Sequence, residues 1–264
     1  MRLRLVTLVT VLASVGCGGG SPMLHPARTL PSGEVRAAAG MSANIVPGSL
    51  ANDLATAREI GANEPVSTNP SFAKGALVAA AIAPGLAPYA GARVGIGNQF
   101  EAGLAYTGRA VRADMRRSFG DGPWNYSIGL GGSAALYGRQ QGSDLPNVEI
   151  GSLKGYGFDV PLLAGWESPG GIYKLWFGGR GGFEHINIER LTTEPKEGVG
   201  GPIGLDANRF FGGGVVGMAT GFNHVHVALE ASVSYQVVTG TYNQTNATVR
   251  GITIAPATAL WWTF

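Results

Sequence analysis

Residues 224–238 read HVHVALEASVSYQVV, and their parity decides the fold. The odd positions Val225, Val227, Leu229, Ala231, Val233, Tyr235 and Val237 are apolar, whereas the even positions carry His224, His226, Glu230, Ser232, Ser234 and Gln236, with Ala228 between them. A period of two sends successive side chains to opposite faces of a strand, so one face suits oil and the other water. From Trp124 to Leu136 the even positions are again large and the odd ones small (Ser127, Gly129, Gly131, Ser133), as a narrow barrel with little interior room requires. Ile252 to Phe264 repeats the pattern, except that Trp261 falls on the inner face.

The same alternation places strands near 34–45, 88–96, 99–107, 110–118, 123–137, 155–166, 172–187, 208–221, 224–238 and 249–264. Ten is an even number, as a closed antiparallel barrel with both chain ends on one side needs, and eight and twelve are the alternatives. Numbered back from Phe264, short turns at Asp121–Gly122, Pro169–Gly170 and Phe222–Asn223 fall on one side. The long joins 138–154, 188–207 and 239–248 fall on the other, with a short exception at Gly108–Arg109. The expected fold is therefore all-β: an up-and-down transmembrane β-barrel over 34–264, with a partly helical excursion near 46–87. Within it Leu50 to Ile60 reads as helix, and Phe72 to Ala83 as either helix or strand.

Composition agrees with one β-rich domain. The chain has 264 residues, 43 of them Gly, with 19 basic against 17 acidic residues, and no basic run beyond Arg112, Arg116 and Arg117. Nucleic acid is not an expected partner. After the N-terminus no apolar run reaches the roughly 18 residues of a membrane helix, so any membrane crossing rests on strands. A single cysteine excludes an intramolecular disulfide.

The N-terminus carries Arg2 and Arg4, an apolar run from Leu5 to Leu12, then Ala13, Ser14, Val15 and Gly16 before Cys17 and Gly18 to Gly20. This order resembles a bacterial lipoprotein signal, although Ser14 stands where a leucine is usual. The resemblance implies a signal peptide over 1–16, acylation of Cys17 and a flexible tether over 17–33. The alternative is an ordinary secretory signal cut nearby. At the other end, an apolar strand closing on Leu260, Trp262 and Phe264 resembles the C-terminal signal of bacterial outer-membrane β-barrels. That implies the bacterial outer membrane, its lipid and its barrel assembly machinery as location and partners.

The faces assigned inward hold Arg36, Arg93, Arg112, Arg116, Lys174 and Arg180 against Glu34, Glu101, Asp114, Asp159, Glu184 and Glu230. Charges held out of bulk water need partners, so this balance predicts a lumen filled by ion pairs, where a selective pore would show one sign in excess. A structural or surface-interaction role follows, with loops 138–154, 188–207 and 239–248 offered to a surface ligand or partner protein. A narrow solute channel is the alternative, and a surface enzyme using His226 and Glu230 a second. No cofactor, metal site or enzymatic activity is expected: His224 with His226 is a weak ligand pair. The glycines at 178–182 and 212–214 lie inside strands rather than in phosphate loops.

Overall fold

A computed structural model describes residues 20–63, 69–135, 153–188 and 204–264. Its ten strands are β1 (Val35–Asn44), β2 (Gly85–Gly97), β3 (Phe100–Tyr106), β4 (Ala110–Phe119), β5 (Trp124–Ala135), β6 (Leu153–Glu167), β7 (Tyr173–Ile188), β8 (Leu205–Phe222), β9 (Val225–Tyr242) and β10 (Thr245–Thr263). Each pairs antiparallel with its sequence neighbours, and β1 pairs with β10 from Arg36 opposite Thr263 to Ser42 opposite Ala257. The sheet is closed, with no free edge. It is the ten-stranded up-and-down barrel that the alternation predicts.

Parity sorts side chains as expected. Outward positions such as Leu104, Met115, Ile128, Leu130, Leu162, Val216, Leu229 and Ile252 are exposed, while their strand neighbours are buried inside. Along β10 this outer apolar face runs from Trp262 to Ile252 and gives way to exposed Arg250, Thr248 and Asn246, a span close to the 9–11 residues of a membrane strand. Trp124, Tyr173, Phe222, Trp262 and Phe264 are exposed near one end of the belt and Tyr106, Tyr156 and Phe210 near the other, an arrangement typical of the two aromatic girdles of membrane barrels. Arg117 points outward near the first rim, its guanidinium 5.2 Å from the ring centroids of both Phe100 and Phe119.

The wall is uneven. β10, at 19 residues, rises roughly 45 Å at the usual strand tilt, whereas β3, at 7 residues, rises roughly 18 Å. β7 to β10 therefore stand well above an apolar band of about 25 Å. This corrects one expected loop: 239–248 is the top of the β9–β10 hairpin, turned by Asn243 and Gln244 with φ of 42° and 67°. Two consecutive positive φ values fit the type I′ turn, whose twist matches the flanking strands. The other two expected loops lie mostly outside the described residues, although Lys154 and Leu205 to Ala207 belong to strands.

The excursion after β1 folds into α1 (Ser49–Asn63) and α2 (Pro70–Leu77), the latter running into a π turn (Val78–Ile82). Asn69 caps α2 by accepting the Ser71 amide at 2.9 Å, with Pro70 in the first turn. So Phe72 to Ile82 is helical. The hairpin packs Leu50, Leu54, Ala57, Phe72, Leu77 and Ile82 against Ile186, Ile188, Leu205, Val238, Tyr242 and Val249, inward residues of the tall wall. It occupies the upper lumen.

Candidate functional site

The lower lumen is occupied by the chain's own residues 20–33. From Gly20 to Leu30 only Ser21 and Arg28 retain partial exposure. This corrects the expected flexible tether: the described part of 17–33 is a strap inside the barrel. Its composition explains the difference. Pro22, Met23, Leu24, Pro26, Ala27 and Leu30 are apolar or backbone-restricting, unlike the Gly/Ser sequence of a free linker. Met23, Leu24 and Ala27 pack with Trp176 and Trp261, whose rings stack at 5.8 Å. Trp261, the exception to the outward aromatic pattern, thus has an interior role.

A strap in an apolar interior must satisfy its main chain, and the lumen charges do this. The Glu230 carboxylate accepts the Met23 and Leu24 amides, each at 2.7 Å, and the Trp176 indole N–H at 3.1 Å. Glu101 accepts the Leu30 amide at 2.8 Å. Arg116 donates to the carbonyls of Pro26, Ala27 and Arg28, and Arg180 to the carbonyl and hydroxyl of Ser21. Carboxylates meet amides and guanidiniums meet carbonyls.

The same groups are cross-linked around the wall. Arg93 bridges Glu101 and Asp114; Arg116 also holds Glu101, at 2.9 Å. Arg112 joins Asp114 to Asp159, meeting the latter in a two-point fork at 2.8 and 2.9 Å, and Arg180 reaches Asp159 at 2.9 Å. Near the rim Lys174 pairs with Glu167 at 3.4 Å, and Arg28 with the same carboxylate at 3.5 Å. Arg36 is buried with its guanidinium 4.8 Å over the Trp261 ring. Higher up, Glu184 pairs with Arg209 at 2.9 Å and Arg109 at 3.5 Å.

Parity reasoning missed Arg109 and Arg209 as interior residues. Arg109 reaches in from the tight β3–β4 turn, and Arg209 lies beside the adjacent Phe210 and Phe211, which blur the alternation. Both donate to the end of the helical hairpin: Arg109 to the Ala80 and Ala81 carbonyls, Arg209 to that of Ala81. Cations at a helix C-terminus meet its exposed carbonyls and its negative dipole end.

The polar pair His226 and Glu230 does not converge. They lie four residues apart on β9, about 13 Å along a strand. His226 faces the Gly171 carbonyl at 3.1 Å while Glu230 is occupied by its three donors. His224 is exposed at the β8–β9 turn. Gly178, Gly182, Gly213, Gly217 and Gly221 of β7 and β8 make room for neighbours, whereas a Cβ on Gly179, Gly181, Gly212 or Gly214 would meet nothing closer than 3.6 Å. A Cβ on Gly217 would lie 2.1 Å from the Trp176 ring. Leu260, Trp262 and Phe264 stand outward at the lower rim, and Cys17 lies outside the described residues.

No protein-family model matches the chain, and no curated protein matches it. Among solved structures it is similar to Neisserial surface protein A (9% identity, 88% of this chain and 96% of that one, TM-score 0.32). It is also similar to Ail, the attachment invasion locus protein of Yersinia pestis (10%, 88% and 99%, TM-score 0.29). A third is an anion-selective porin from Comamonas acidovorans (13%, 68% and 60%, TM-score 0.21).

Proposed function

We propose that the chain is a bacterial outer-membrane barrel that is stoppered by its own strap and helical hairpin, and that serves a structural or surface-interaction role. The observation behind this reading is a closed sheet whose outside is apolar over a membrane's thickness while its inside is charged and filled with protein. A soluble barrel would put its apolar residues inside and its charges out. Above the belt, the outer faces of β8 to β10 turn polar at Asp206, Asn208, Thr239, Asn246 and Thr248. This raised wall is the surface offered to a partner.

Fractionation and heat-modifiable gel migration test the location: the folded chain belongs in the outer-membrane fraction and shifts on boiling. Recovery from soluble periplasm without a shift removes the reading. Planar-bilayer recording tests the stopper, because steady single-channel current from the full chain would favour the narrow channel instead. The proposed lipid on Cys17 competes with the strap. Gly20 sits beside Ala43 and Ala255, about 20 Å above the lower rim, and three extended residues span only about 10 Å. An acyl anchor in the periplasmic leaflet would therefore draw the strap's first residues out of the lumen. The mass of the mature chain decides whether that competition exists.

A further inference from the structure

Between the strap and the hairpin lies a chamber of about 90 Å³. Its floor is Gly20, Ser21 and Met23, one wall is the polar run Ser232, Ser234 and Gln236, and Arg109 and Arg209 line its upper part beneath the π turn they hold. Charge is unbalanced here. Among the described residues, four arginines line the chamber (Arg109, Arg112, Arg180 and Arg209) against two carboxylates (Glu184 and Glu230). Two guanidiniums share Glu184 and two share Asp159.

Two buried polar atoms on the chamber wall have no partner among the described residues: the Arg209 Nε donor and the Gln236 Oε1 acceptor, on residues 9% and 5% exposed. They lie on adjacent strands, since Phe211, two residues from Arg209, is opposite Gln236. The guanidiniums of Arg180 and Arg209 stand 5.7 and 5.1 Å from the Phe211 ring centroid, within cation–π range. An excess of guanidiniums in a low-dielectric space calls for an anion, and with both Nη atoms of Arg209 and the nitrogens of Arg180 already engaged, the Arg209 Nε–H is the donor that meets it. The acceptor on Gln236 and the serine hydroxyls call for hydroxyl groups on the same molecule.

We propose that this chamber binds a small soluble oxyanion, a carboxylate or phosphate borne on a hydroxylated carbon skeleton, with Arg209 Nε donating to the anion and Gln236 Oε1 accepting from a hydroxyl. The site is independent of where the barrel resides. The test uses the full chain folded in detergent, with arginine side-chain NMR during titration by inorganic phosphate, glycerol phosphate or glycerate, against chloride at matched ionic strength. The Arg209 Nε–H resonance should shift saturably with the oxyanions and not with chloride. Glycerol phosphate should bind more tightly than inorganic phosphate, and Gln236→Leu should remove that difference. Arg209→Lys, which keeps the charge facing Glu184 but loses the Nε–H, should weaken binding tenfold or more; the outward variant Arg117→Gln should not. Absence of a saturable shift with all three oxyanions, or equal affinities for Arg209→Lys and the parent chain, overturns the proposal.

Discussion

Substituting Glu230 by glutamine tests the grip of the wall on the strap. The carboxylate accepts three buried donors, the amides of Met23 and Leu24 and the indole of Trp176. A hydrogen bond to a charged group contributes about 1.5–3 kcal/mol, a neutral one about 1 kcal/mol, and a buried donor left without an acceptor costs about 1–3 kcal/mol. Glutamine supplies one carbonyl oxygen for three donors and turns an NH2 group toward them. Weakening two bonds and losing the third destabilises the seated strap by about 4 kcal/mol, roughly a thousandfold in its seated-to-released ratio. Native-state hydrogen exchange reads this directly. Met23 and Leu24 amides should exchange up to about a thousandfold faster in Glu230→Gln, while amides of β9 keep their protection. Unchanged protection at Met23 and Leu24 would refute the latch, and equal loss across β9 would show that Glu230 holds the barrel rather than the strap.

Three other substitutions probe separate parts of the structure. Glu101→Ala strips Arg93 and Arg116 of their shared carboxylate and should cost about 3–5 kcal/mol, read from the urea midpoint of the detergent-folded barrel. Gly217→Ala places a methyl 2.1 Å from the Trp176 ring, which should cost about 1–3 kcal/mol and change the near-ultraviolet circular dichroism of the Trp176–Trp261 pair. Leu229→Arg lies in the middle of the outward belt: it should cost about 2–4 kcal/mol in a bilayer, against under about 0.5 kcal/mol if that face met water.

The ten strands were legible because lipid outside and charge inside impose a period of two, and 224–238 states it without interruption. Legibility failed where one side of that contrast vanished. In 239–248 the outward residues Thr239, Thr241, Asn246 and Thr248 are polar because the hairpin has left the membrane. The segment reads as a loop, although Val238, Tyr242, Ala247 and Val249 still alternate inward under the helices. The Phe72–Ile82 helix was ambiguous because a segment buried on nearly all sides has no polar face to show its period. Most of the lumen charges could be assigned by parity, but their function could not. Their partners include main-chain groups of residues 20–33, and a main chain leaves no trace in side-chain patterning.

Where the strap lies is the point on which the stoppered barrel stands, and a disulfide can report it. A Cβ built on Gly20 approaches that of Ala255 on β10, deep in the lumen, while Thr263 lies at the lower rim. Gly20→Cys paired with Ala255→Cys, in a Cys17→Ser background, should close a disulfide in the folded barrel under mild oxidant. Gly20→Cys with Thr263→Cys should remain reduced. A disulfide with position 263 and none with 255 would place the segment at the lower rim as a tether and contradict the filled lumen.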